Sequence, residues 1–362
     1  VGDLRGVINR LDYLNDGDVN SGNSLGVQGI WLSPIFQSPS YHKYDVQDYY
    51  SIDSRFGTME DLQELIDLCH QRNVKVILDL VINHTSNRNR WFNDFRSAHQ
   101  QGNTESPYYD FYSWCTEEER PNGSWQPIGT SGHYYEGNFS PDMPELNFDN
   151  PEVRERMLEL AKVYLDMGVD GFRFDAAKYI YYGETARNVE FWSWYMAELR
   201  SYKSDIYCVG ECWSGEGEVL EYYKAMNCFN FAAAQAEGHI AMAAKGGDIN
   251  NFTNYICSYQ KKTAGANPDA MPILFLSNHD MDRSSGYLML ANGFPYMGAS
   301  LMLLSPGSPF IYYGEEIAIK GSRGGANTDA NRRLAVLWGD GGTVGDPEGT
   351  PYDDTQQTSG TV

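Results

Sequence analysis

Basic residues are scarce in this chain. Its 362 residues carry 27 Lys and Arg against 49 Asp and Glu, a formal charge of −22. That balance repels phosphate backbones and anionic headgroups, so neither nucleic acid nor a charged lipid surface fits as a partner. Long apolar runs are lacking as well, none approaching the ~20 residues of a bilayer-spanning helix. The six cysteines are scattered without a Cys-x-x-Cys, which argues against a zinc ribbon or a thioredoxin-type pair. Most of them read as small buried apolar side chains. Histidine is rare, seven in all, and no His-x-x-x-His occurs. The start, Val1-Gly2-Asp3-Leu4, shows neither Met nor a leader pattern, and Gly339 to Val362 has loop composition.

What is present suffices for a large core, since 41% of the residues are hydrophobic. Short apolar runs alternate with amphipathic stretches. Residues 3–14 carry helical spacing, and 27–34 (VQGIWLSP) reads as a strand. Helix 60–72 precedes the strand 74–82, helix 151–167 precedes 169–174, and helix 188–203 precedes 206–210. Helix 216–226 leads to 228–231, helix 249–261 to 272–277, and helix 291–304 to 309–313. Continuous apolar strands separated by helices imply a parallel sheet covered by helices. Seven strands, with a helix before the first and none after the last, match a (β/α)8 barrel lacking its first strand and last helix. An open doubly wound sheet gives the same alternation, and the count alone does not exclude it. More than sixty residues rich in Asn, Ser, Gly, Tyr and Trp separate the strand ending near Ile82 from Pro151, and so long a connection suggests a subdomain. The chain therefore divides into 1–82, an insertion over 83–147, and 148–362.

In such barrels the chemistry sits where strands end. The strand ends here read Asp79-Leu-Val-Ile-Asn83-His84, Gly171-Phe-Arg173-Phe-Asp175, Gly210-Glu211 and Ser277-Asn278-His279-Asp280. Like charges gathered on one rim cost energy, so they serve metal binding or carboxylate chemistry. With few histidines at ligand spacing, paired carboxylates for glycosidic cleavage fit better. Taken singly, Asp79 with Arg173 reads as a buried salt bridge, and Asp280 could cap a helix beside a core His279. Their joint placement is what carries the reading.

DLVINH (79–84), GFRFDAAK (171–178), GECW (210–213) and FLSNHD (275–280) resemble the four signature regions of the alpha-amylase family of glycoside hydrolases, in that family's order. GVQGIWLSPI (26–35), MPELN (143–147) and GSPFIYYGEE (307–316) are similar to its further regions, and MPELN is close to the form of members intermediate between oligo-1,6-glucosidase and neopullulanase. The resemblance implies a (β/α)8 barrel with a small domain B after strand three and, beyond it, a C-terminal β-domain that this chain would lack. It implies Asp175 as nucleophile and Glu211 as general acid/base, with a carboxyl raised by its neighbours. Asp280 becomes the third carboxylate, which holds sugar hydroxyls. Arg173, on the same strand face as Asp175, would keep the nucleophile ionised. His84 and His279 match residues that bond the sugar at the cleavage point, Tyr44 with Asp45 beside it matches the sugar-stacking position, and Lys178 matches a residue on the leaving-group side. The family retains anomeric configuration, which sets an expected carboxylate separation of roughly 5–5.5 Å.

Members cutting α-1,6 bonds tend to carry Val after the nucleophile, whereas Ala176 stands here, so the expectation is an α-1,4-acting enzyme on starch or maltodextrin. An α-glucosidase, oligo-1,6-glucosidase or neopullulanase activity is the alternative. A non-catalytic relative such as a transporter heavy-chain ectodomain would have lost the three carboxylates. The resemblance implies no organic cofactor. It implies a structural calcium in many members, held at Asn83, an acid such as Glu145 and a carbonyl past Lys178. Here Tyr179 replaces the usual His, and the Asp16-Gly-Asp18-Val-Asn20 loop lacks a closing bidentate acid and reads as an Asx-rich turn. Arg333-Leu-Ala-Val-Leu-Trp338 departs from the family's Arg-x-Pro-Met-x-Trp. Secretion or cell-surface display is the expectation from the resemblance, because starch does not enter cells. Oligomeric state is not legible.

Overall fold

The computed structural model describes residues 2–289, 292–323, 328–336 and 338, so the loop reading of Gly339 to Val362 lies outside the described residues. The chain forms two compact units, one over Gly2–Glu211 and the other from Cys212 onward.

Four parallel strands organise the first unit, in the spatial order Gly29–Leu32, Lys75–Leu80, Gly171–Phe174 and Tyr207–Gly210. Parallel neighbours need long crossovers, and helices supply them: Met59–Gln71, Pro151–Asp166 and Thr185–Tyr202. Each begins or packs as its sequence dictates. Thr58 and Asp61 close a reciprocal capping box at the start of Met59–Gln71, whose buried stripe is Leu62, Leu65, Ile66 and Cys69. Asn150 caps the helix that opens on Pro151, a residue suited to the first helical turn. Strand Gly171–Phe174 is buried at all four positions, as expected for a strand covered on both faces. Gly171 is required there, because a Cβ would lie 1.6 Å from the Tyr207 carbonyl oxygen.

The stretch from 83 to 147 is less loop-like than its composition suggests. It contains the helix Arg90–Gln101, started by the Asn89 side chain and stopped by left-handed Gly102. A three-stranded antiparallel sheet follows, in the order Trp114–Thr116, His133–Glu136, Trp125–Pro127. Phe92, Phe95, Tyr112 and Tyr135 pack between them in stacked, edge and tilted ring contacts.

In the second unit, strands Ile273–Phe275 and Ser308–Phe310 run parallel, and Phe229, just past the short strand Asn227–Cys228, bridges to Ile273. Helices Glu216–Tyr222, His239–Ala244, Ile249–Ala266 and Phe294–Leu304 accompany them. The core gathers Ile240, Phe252, Ile256, Leu274, Leu276, Leu288 and Met302.

Two sequence expectations needed correction. The helical spacing over 3–14 resolves into two short helices, Leu4–Ile8 and Leu11–Leu14, because Arg10 leaves helical geometry at φ −120°, ψ 14°. The helix expected from Ala291 starts at Phe294, after Gly293 takes a left-handed φ of 73°. Five cysteines are buried, as expected, and Cys257 is exposed. No helix among the described residues is long and apolar enough to cross a membrane.

Candidate active site

Strand pairing builds the centre of the site in the first unit. Asp79 and Arg173 face each other across neighbouring parallel strands. The strand-end turn then carries Asp175 out of the sheet, and Ala176 enters left-handed geometry at φ 48° before the 3-10 turn Ala177–Tyr179. Glu211 follows the next strand and is fixed by its own backbone: its N–H donates to the Phe174 carbonyl at 2.9 Å, and its carbonyl accepts from the Ala177 N–H at 3.0 Å. The Ala176 N–H donates to the Glu211 carboxylate at 3.1 Å.

Arg173 gathers these carboxylates. Its Nη1 lies 2.9 and 3.0 Å from the two Asp79 oxygens and 2.6 Å from Asp175 Oδ1, while Nη2 lies 2.9 Å from Glu211 Oε2. One guanidinium, 1% exposed, thus spans three acids, and Asp175 and Glu211 stand within that single span. Burial disfavours the charge on Arg173, yet Asp79, Glu211 and Asp175 outweigh it and hold the guanidinium protonated well beyond its usual range. Burial likewise pushes the Asp79 carboxyl up, to about 6, against the pull of Arg173. The expected Asp79–Arg173 salt bridge is therefore present.

Tyr44 closes one flank. Its hydroxyl donates to Asp79 Oδ2 at 3.0 Å, and its ring lies 5.7 Å from the Arg173 guanidinium. Asp45 is buried and accepts hydroxyls from Ser38, at 2.7 Å, and from Ser40, so within this structure it fixes the 38–45 loop. His84, 1% exposed, has Nδ1 at 3.2 Å from the Asn83 amide, while Nε2 has no partner among the described residues. Burial lowers its imidazole to about 4, so the ring is neutral at pH 7 and can offer an unused hydrogen bond. Lys178 stands in the 3-10 turn, its ammonium 5.6 Å from the Tyr179 ring.

His279 and Asp280 belong to the second unit. There Asp280 Oδ1 takes a 2.9 Å contact from Arg333 and Oδ2 a 3.0 Å contact from His279 Nε2, while Arg333 Nε donates to the His279 carbonyl at 3.1 Å. Arg332 adds a 2.7 Å bond to the Asp280 carbonyl. Arg333 was not singled out from sequence, because the segment departs from the family pattern. Its signal was there all the same: an arginine at the position where that pattern begins.

Asn83 and Glu145, the residues that the resemblance assigns to calcium, bond each other. The Asn83 amide donates to Glu145 Oε2 at 2.5 Å, and the Asn138 N–H bonds Glu145 Oε1 at 3.2 Å. Burial first, then Glu136, raises the Glu145 carboxyl well above its usual range. No group of three His, Cys, Asp or Glu among the described residues could hold a metal. In the 15–24 loop the Asp16 and Asp18 carboxylates accept backbone N–H groups two residues on, at 3.1 and 2.9 Å, which is the Asx-turn arrangement.

Parallel βα units that bring acids and one shared arginine to strand ends define an α/β enzyme fold with carboxylate chemistry. The chain belongs to the alpha-amylase family: the family's description, "Alpha amylase, catalytic domain", matches residues 1–360. Among characterised proteins it is 41% identical over 325 residues to Alpha-amylase 3 of Dictyoglomus thermophilum, covering 89% of this chain and 61% of that protein. It is 32% identical over 346 residues to a 4-alpha-glucanotransferase of Thermotoga maritima, covering 91% and 70%. It is 30% identical over 375 residues to an oligo-1,6-glucosidase of Heyndrickxia coagulans, covering 88% and 63%. Among solved structures, Eubacterium rectale Amy13B aligns over 100% of this chain and 70% of its own with a TM-score of 0.90 at 35% identity. The alpha-amylase from H. orenii aligns over 99% and 72% with a TM-score of 0.84 at 38% identity. The fold class is that of the (β/α)8 barrel enzymes of this family, and the chain spans 61% of the length of the Dictyoglomus relative.

Proposed function

We propose that this chain is the catalytic part of a retaining glycoside hydrolase that cleaves α-1,4 bonds in starch or maltodextrin. The observation that carries the reading is the span of one buried guanidinium across Asp79, Asp175 and Glu211. In this reading Asp175, paired with Arg173 at 2.6 Å, attacks the anomeric carbon and forms a glycosyl ester. Glu211 protonates the departing oxygen, then deprotonates the water that breaks the ester. Neutral His84 donates Nε2–H to a sugar hydroxyl, Tyr44 gives an aromatic face beneath the ring, and Asp280 accepts from sugar hydroxyls. Lys178 holds the leaving chain. The names of the characterised relatives support an α-glucan as substrate, and Ala176 after the nucleophile supports α-1,4 cleavage.

Oligo-1,6-glucosidase or neopullulanase-like action is the second reading, supported by MPELN and by the Heyndrickxia relative. Residues 83–147 serve as the inserted domain B. Because the substrate is a polymer, its hydrolysis takes place outside the cell.

The test compares maltoheptaose, isomaltose and pullulan with the wild type and with Asp175→Asn and Glu211→Gln. Expected are α-anomeric first products from maltoheptaose, little action on isomaltose, and loss of both activities by about 10³-fold or more in each variant. Preference for isomaltose selects the second reading. Wild type no faster than either variant removes the enzyme reading.

A further inference from the structure

A line of rings leaves the buried histidine and reaches the surface of the first unit. The His84 and Phe139 rings lie 5.2 Å apart, Phe139 and Tyr179 4.6 Å apart, and Tyr179 and Tyr182 5.2 Å apart. The last pair is stacked, with only 17° between the ring planes. His84 is buried at 1% exposure and Tyr179 is half-buried, whereas Phe139 at 46% and Tyr182 at 60% meet solvent. Two features of the chain hold the rings in place. Phe139 rides on the connection between strand His133–Glu136 and buried Glu145, and Tyr179 ends the 3-10 turn Ala177–Tyr179. In tight helical turns residues three apart lie over one another, which brings Tyr182 over Tyr179.

Large aromatic faces left in contact with water and joined to a buried polar centre mark a binding surface. The chemistry selects the occupant. A pyranose has one apolar face of C–H groups and a rim of hydroxyls, and a tyrosine offers an apolar face with a polar tip. The line also has a direction. The turn that bears Tyr179 starts at Ala176, whose N–H is bonded to the Glu211 carboxylate. The Tyr179 hydroxyl, raised by burial, also feels Tyr182, Glu145 and Glu211. If Glu211 delivers the proton to the departing oxygen, this turn lines the side on which the departing chain leaves.

We propose that Phe139, Tyr179 and Tyr182 form a track for the leaving-group portion of an α-glucan, with the outer face of Tyr182 as the stacking platform for a glucose unit beyond those next to the cleaved bond. The inference rests on the α-glucan hydrolase reading above. It makes the chain discriminate by substrate length, because a short substrate ends before it reaches Tyr182.

The experiment compares kcat and KM of the 362-residue chain on maltoheptaose and on a nitrophenyl maltoside, for wild type, Tyr182→Ala and Tyr182→Phe. Tyr182 is exposed, so its truncation leaves the fold intact, which a melting curve checks. Expected is about a tenfold fall in kcat/KM on maltoheptaose for Tyr182→Ala, entering through KM, with the short substrate unchanged and with Tyr182→Phe close to wild type. Equal behaviour of wild type and Tyr182→Ala on both substrates overturns the track while leaving the hydrolase reading in place. An equal loss on both substrates does the same, since it points to a disturbed centre. A wild type that cleaves neither substrate overturns the hydrolase reading and this inference with it.

Discussion

At the scale of single residues, Arg173 determines the site. It is one cation among three acids, and a lysine there has a single point charge on a flexible stem in place of a planar fork. Arg173→Lys should lower activity by roughly 100-fold and stability by about 3 kcal/mol, read from initial rates on maltoheptaose and from urea unfolding. Retained activity at that position would remove its assigned role. Glu145 allows a test of sign. Its folded-state carboxyl is raised by burial, so the folded chain holds a proton where the unfolded chain has already lost it. The stability tied to this group is therefore complete at acid pH and falls as pH rises through and above the ordinary carboxylate range. Glu145→Gln keeps the shape without the titration. Its melting temperature relative to wild type should improve on going from pH 5 to pH 8, and a difference independent of pH would contradict the burial-driven shift.

The element scale is where the backbone restricts the choice of residue. Gly171 opens the strand that carries Arg173, and its neighbour's carbonyl leaves no room for a Cβ. Gly171→Ala should force the two strands apart, at a cost of about 4 kcal/mol or more, and show as loss of soluble protein or a much lower melting temperature. Gly217→Ala is the control: a Cβ there meets nothing within 4 Å and the position lies inside helix Glu216–Tyr222, so the change should not destabilise the fold. This scale is also where sequence reading did well. Apolar runs and caps located the strands Lys75–Leu80 and Tyr207–Gly210 and the helix Met59–Gln71 closely. It did less well between 83 and 147, where polar composition masked the helix Arg90–Gln101. The Asn89 cap, the Gly102 stop and the buried Trp91, Phe95 and Ala98 between them were the available signals.

For the molecule as a whole, the relevant quantity is the net charge of −22. Like charges repel over distances comparable to the Debye length, which shrinks from ~30 Å at 0.01 M salt to ~10 Å at 0.1 M. Raising sodium chloride across that range should increase the melting temperature by a few degrees, since screening relieves repulsion in the compact state. A neutral glucan is not steered by this field, so KM for maltoheptaose should stay the same across the series. A KM that tracks ionic strength would point to a charged substrate.

Sequence alone determined the alternation of strands and helices outside residues 83–147, because apolar periodicity and caps act over a few residues. It also placed Asp79, Arg173, Asp175, Glu211 and Asp280 at strand ends, where a barrel puts its chemistry. Only the tertiary structure decided which of these groups share a charge. The sharing of Arg173 among three acids, the Asn83–Glu145 bond, the hold of Arg333 on Asp280 and the ring line from His84 to Tyr182 all join residues far apart in the chain. Hydrogen bonds and ring contacts act over a few ångströms of space, and no local pattern of residues encodes which distant segments will meet.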